Sequence, residues 1–144
     1  MFSKACEYGI RASIYIAQQS LLDRKVSLKE ISEAIESPTA YTSKILQKLS
    51  RNIIINADKG PTGGFSMDSV KLEKVSLSSI VFAIDGETIY KSYGKGKKKC
   101  NEKMPCPVHN QCKVIREELK KMSDTTTIKS LAIDFENGLT FLKR

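Results

Sequence analysis

The stretch SPTAYTSKILQKL, residues 37–49, decides the fold. Ser37 suits a helix N-cap and Pro38 suits its first turn. Tyr41, Ile45 and Leu49 then recur on one side, and Leu46 widens that stripe. The other side carries Thr39, Thr42, Ser43, Lys44, Gln47 and Lys48. Short hydrogen-bonding side chains of this kind reach base edges and phosphate oxygens in a major groove. An ordinary amphipathic helix with a solvated side has the same pattern, so the flanking residues decide between the two readings.

Upstream, Ser27 and Glu30 form a capping-box pattern. Leu28, Ile31 and Ile35 supply the buried row of a short helix, and Glu36-Ser37 leaves only a tight turn before the next one. Two short helices so joined, the second rich in polar surface, read as helix-turn-helix. A further helix over 4–19 is apolar around much of its circumference, through Tyr8, Ile10, Ala12, Ile14, Tyr15 and Ile16, and packs on more than one side. Its Arg11 is open to two readings, a phosphate contact or a solvated cation. Downstream, residues 51–56 suit a strand, residues 59–64 must turn at Gly63-Gly64, and residues 65–67 return as a second strand. The product is a wing over about 53–67, with Lys59 near its tip. Within this stretch Thr39, Thr42, Ser43 and Lys44 are the groove-facing candidates. Lys48, Arg51 and Lys59 are the phosphate candidates, and Gly63 and Gly64 shape the wing.

The rest of the chain is helical or irregular. Residues 75–84 suit a helix that buries Leu77, Ile80, Val81 and Ile84. Residues 86–110 carry glycines, prolines and a basic run without periodicity. From about Asn110 a long helix places Val114, Ile115, Leu119 and Met122 at helical spacing. Ile128, Leu131, Ala132 and Phe135 mark a last helix that Gly138 can end. An apolar stripe beyond the first compact unit needs a partner, and a two-fold mate is the commonest one. The expected fold is mainly α, a winged helix-turn-helix DNA-binding domain with a long C-terminal dimerisation helix. The expected divisions are 1–85 for the winged domain, 86–112 for a cysteine-containing loop, 111–136 for the dimerisation helix and its follower, and 137–144 for a tail.

Composition agrees with such a unit. The 144 residues allow one domain with a real core, and the formal charge of +8 favours an anionic partner. No apolar run reaches the roughly 20 residues that cross a bilayer, and no export signal opens the chain, so a cytoplasmic setting is expected. A single histidine without an evident carboxylate partner argues against an enzyme. In that setting cysteines bind metal or react rather than bridge.

Three of the four cysteines stand at equal intervals in CNEKMPCPVHNQC, residues 100–112. Cys100, Cys106 and Cys112 suit an iron–sulfur cluster that leaves one iron needing a fourth ligand. Zinc completed by His109, or free or redox-active thiols with no metal, are the alternatives. Cys6 reads as a small buried hydrophobe on the first helix.

Taken together, the residues KACEYGIRA at 4–12, the stretch 37–49, GPTGGF at 60–65, VSLSSI at 75–80 and the cysteine triplet resemble the Rrf-type family of bacterial winged-helix regulators, those of the IscR, NsrR and CymR kind. The resemblance implies a homodimer on palindromic promoter DNA, with a dimer interface on the long helix. It also implies a cluster, 4Fe-4S in preference to 2Fe-2S, whose response to nitric oxide, redox state or iron supply changes promoter binding. The IscR-like pattern places its histidine ligand where this chain has Ile115. The NsrR-like pattern places a carboxylate where this chain has Glu7, so the resemblance points to the NsrR-like branch, with Glu7 of the partner subunit as fourth ligand and His109 as the alternative. A same-fold regulator without a cluster, sensing through thiols, zinc or a protein partner, is the alternative. A winged-helix interaction protein that does not bind DNA is a second.

Overall fold

Five of the helices begin on side-chain caps that the sequence supplies, the last of them on Thr127, which accepts from the Ser130 amide at 3.2 Å. Ser3 accepts from the Cys6 amide at 3.0 Å, Ser27 from Glu30 at 3.2 Å, Asp68 from Lys71 at 2.9 Å and Ser76 from Ser79 at 3.3 Å. The computed structural model of the protein describes residues 2–87, 90 and 107–136, apart from the side chains of His109 and Glu136. In order these form α1 (Lys4–Leu21), α2 (Leu28–Ala34), α3 (Thr39–Arg51), β1 (Asn56–Asp58), β2 (Gly64–Ser66), α4 (Ser69–Lys74), α5 (Leu77–Asp85), α6 (His109–Thr125) and α7 (Ile128–Glu136). The architecture is mainly α with a two-stranded wing, as the sequence predicts. No helix among the described residues is long and apolar enough to cross a membrane.

Two local expectations fail. Ser37 does not cap α3. The N-cap is Pro38, without a side-chain bond, and the Ser37 hydroxyl is buried with no partner. The cause is the tight turn. Glu36 sits at φ +53° and the Ser37 amide donates to Ser32 O at 3.0 Å, which turns the serine inward. Residues 51–55 are not strand either. α3 runs through Arg51, Ile53 holds φ +60°, and the Ile54 amide closes back on Leu49 O at 2.9 Å. Ile54 and Ile55 are both buried, whereas a half-buried strand would alternate.

The wing strands are antiparallel, with Asn56 opposite Ser66, Ala57 opposite Phe65 and Asp58 opposite Gly64. Val26 adds an isolated bridge to Phe65, through bonds of 3.0 and 2.7 Å, and so ties the α1–α2 loop to the wing. One core gathers Ala12 and Ile16 of α1, Ile31 and Ile35 around α2, Ile45, Leu46 and Leu49 of α3, Met67 and Ile80. Ile128 and Ala132 of α7 belong to the same core, and α7 packs along α1. Backbone bonds from Leu77 N to Thr126 O (2.8 Å) and from Ile128 N to Val75 O (2.9 Å) fasten that return. α6 packs against α5 and leaves Val114, Ile115 and Met122 exposed, with Leu119 half-buried.

Candidate nucleic-acid interface

α3 is positioned by what it buries. Thr42, Ile45, Leu46 and Leu49 face the core, and Tyr41 sets its ring edge-on to Tyr8 of α1 at 5.5 Å. The remaining side is polar. Thr39, Lys44, Gln47, Lys48 and Arg51 are exposed, Ser43 is half-buried, and the helix holds no carboxylate. Lys48 and Arg51 occupy the last turn, where the helix dipole favours cations. Arg11 of α1 stacks 5.3 Å from the Tyr8 ring centroid and Lys4 lies 6.0 Å from it, adding cations beside the same aromatic pair.

Thr42 requires a correction, because it is fully buried and its hydroxyl donates to Pro38 O at 2.9 Å. It lies three, four and seven residues before Ile45, Leu46 and Leu49, which is the spacing of the inward stripe. It is not a groove-facing residue.

On the wing, Lys59 is exposed and makes no ion pair among the described residues. Gly63 and Gly64 are demanded by the backbone. A Cβ on Gly63 would stand 2.3 Å from Asp58 O, and Gly64 combines φ +143° with Val26 O only 2.9 Å from its missing Cβ. Lys25 Nζ meets Asp58 Oδ2 at 2.7 Å and braces the wing from the α1–α2 loop. At the wing base, Asn56 Nδ2 donates to Asp68 Oδ2 at 3.2 Å, and Lys71 Nζ donates to Asn56 Oδ1. The Lys71 amide, and then the Asn56 amide, hold the Asp68 carboxyl below its ordinary range. Sequence reasoning passed over Lys25, Asn56 and Lys71, and over α4 itself. The available signal was Asp68 three residues ahead of Lys71, an N-cap spacing.

The two described cysteines, Cys6 and Cys112, differ in their surroundings. Cys6 is buried against Leu77 and Val81, as the sequence predicts. Burial, and then the Asp85 and Glu7 carboxylates, push its thiol up to about 12. Cys112 is half-buried in the first turn of α6, its carbonyl accepting from Arg116 Nε at 3.4 Å. Cys100 and Cys106 lie outside the described residues, as does the His109 side chain. The expected cofactor is not upheld, whether iron–sulfur cluster or zinc. Among the described residues no three His, Cys, Asp or Glu gather where a metal ion could be held. Glu7 is an exposed residue of α1, and Cys112 is a helical residue rather than part of a loop wrapped around a cluster. With the cluster goes the ground for an NsrR-like placement.

Comparison with known proteins agrees with this geometry. Residues 2–134 match the Rrf2 family, described as "Iron-dependent Transcriptional regulator". The chain is 28% identical over 133 residues to a protein of Aquifex aeolicus assigned provisionally as an HTH-type transcriptional regulator, covering 91% of this chain and 90% of that one. In three dimensions it resembles the CymR (YrzC) global cysteine regulator of B. subtilis, with a TM-score of 0.74 at 19% identity over 92% of this chain and 96% of that one. It also resembles the oxidized form of Staphylococcus aureus CymR, with a TM-score of 0.68 at 25% identity over 92% and 95%. The first of these two is named a global cysteine regulator, and the second was solved in an oxidized form.

Proposed function

Because the chain belongs to the Rrf2 family of DNA-binding transcriptional regulators, we propose that it acts as a homodimer on palindromic promoter DNA and takes its signal without a resident cluster. The observation that carries the DNA reading is the outward side of α3, which holds Lys44, Lys48 and Arg51 and no carboxylate. Thr39, Ser43 and Gln47 supply hydrogen bonds to bases from the same helix, and Lys59 supplies a phosphate contact from the wing. The exposed Val114, Ile115 and Met122, with Leu119 between them, form the two-fold contact. An isologous contact places two α3 helices on successive half-sites, which is what a palindrome requires.

Thiol chemistry is the input that the residues favour. Cys6 is sealed in the core, so Cys112 is the described thiol within reach of solvent. It lies three residues before Ile115, on the proposed dimer helix. Oxidation there to a disulfide with a second thiol alters the helix that sets the spacing of the two α3 helices. The test is selection of bound fragments from a random duplex pool by the reduced protein, followed by affinity measurements after diamide treatment. Enrichment of a palindrome whose affinity falls on oxidation, and is restored by dithiothreitol, is expected. A pool without enrichment refutes the DNA reading. Enrichment with unchanged affinity after oxidation refutes the thiol input alone.

A further inference from the structure

A groove of about 900 Å3 opens between the end of α3, α4, α5 and α6, and none of the α3 residues assigned to DNA lines it. Its apolar surface comes from Ile53, Val70 and Phe82, which are 71%, 57% and 57% exposed. Exposed apolar side chains gathered in one concavity mark binding sites far more than isolated ones do. Two further observations give the site a chemistry. Tyr90 lines the groove and offers a ligand its ring, its hydroxyl being buried with no hydrogen-bond partner among the described residues. Among the described residues, Lys71, Lys74 and Lys120 line it against two carboxylates, Asp68 and Glu87, so cations are in excess. Lys120 Nζ lies 5.2 Å from the Tyr90 ring centroid and also pairs with Asp124 at 3.4 Å. The backbone points the same way. Ile53 keeps φ +60°, which β-branched residues resist, and such strain persists where the surroundings or a function hold it.

We propose that this groove binds a small organic anion with an apolar body, its charged end between Lys74 and Lys120 and its body against Phe82, Val70 and Ile53. Ile53 and Asn52 directly follow α3, so occupancy of the groove bears on the recognition helix. That consequence rests on the DNA reading above, whereas the binding itself is measured without DNA. The probe is 1-anilinonaphthalene-8-sulfonate, an aromatic body with one anionic group, titrated into the full chain and followed by its fluorescence. Saturation at one molecule per chain is expected. Phe82→Ser and Lys74→Glu should each weaken binding by about tenfold, while Ile133→Ser on α7 leaves it unchanged. Both altered side chains are exposed, and circular dichroism checks that the variants remain folded. Absence of saturable binding, as when a second copy of the chain covers the groove, overturns the proposal. So does binding that neither Phe82→Ser nor Lys74→Glu weakens.

Discussion

Gly64 joins a conformational demand to a steric one. Its φ of +143° and the 2.9 Å approach of Val26 O leave no place for a methyl group. Gly64→Ala should therefore destabilise the fold by about 1–3 kcal/mol, measured by urea unfolding. A smaller loss would mean that the Val26–Phe65 bridge gives way without cost. Cys6 makes a different prediction. Its thiol is raised from 9.0 to about 12 in the fold, so the folded state keeps a proton that the unfolded state releases above pH 9. The Cys6 contribution to stability is complete below pH 9 and falls as pH rises from there toward 12. Cys6→Ala should flatten that alkaline limb of the stability curve. Alkylation in the native state should reach Cys112 and spare Cys6 until the chain unfolds.

At the scale of the element, α3 separates two roles along one helix. If its outward side reads DNA, Lys44→Ala should lower the slope of log affinity against log salt by about 1. Lys59→Ala on the wing should lower it by a similar amount. Thr42→Val tests the correction at that position. It removes a hydroxyl that bonds only within the helix, so DNA affinity should stay within about twofold while stability changes slightly. If Thr42→Val abolished selective binding while the fold persisted, the inward placement of Thr42 would be wrong. The wing depends on its base as well. Asp68 caps α4 and holds Asn56 of β1, and its carboxyl titrates below the ordinary range. Its support is complete above the ordinary carboxylate range and is lost as pH falls through the lowered value.

Across the whole molecule, the two C-terminal helices carry opposite assignments. Ile128 is fully buried in the winged-helix core, so Ile128→Ala should cost about 2–5 kcal/mol of folding stability. Ile115 is 62% exposed, so Ile115→Asp should leave helical content intact and convert a dimer to a monomer. Light scattering with circular dichroism separates these outcomes. A monomeric parent protein at micromolar concentration would refute the dimer. Retention of the Ile128→Ala fold at full stability would show that α7 is an appendage after all.

What the sequence determined by itself is what local spacing encodes. The 3.6-residue stripes placed α1, α2, α3, α5, α6 and α7, the Ser27–Glu30 pair marked the start of α2, and Gly63-Gly64 announced the turn of the wing. Lys44 and Lys48 were legible as exposed cations, because a position opposite an apolar stripe faces water whatever the neighbours are, and Lys59 was legible from its place in the turn of the wing. The burial of Thr42 was legible in its spacing from Ile45, Leu46 and Leu49, though its hydroxyl pointed the reading outward, whereas the inward turn of Ser37 was not legible. A polar residue at the margin of a stripe turns inward or outward according to the turn before it, and the Ser32–Ser37 backbone bond is a contact between elements. The return of α7 onto α1, the bracing of the wing by Lys25 and Val26, and the groove behind α3 join residues far apart in the chain. The cysteine spacing also looked complete as a string. Whether its donors meet depends on three-dimensional position, and of the three only Cys112 lies among the described residues, where no three His, Cys, Asp or Glu gather. Periodicity records which side of an element is buried. Only the tertiary structure decides against what, because packing partners are chosen by surfaces that no single segment contains.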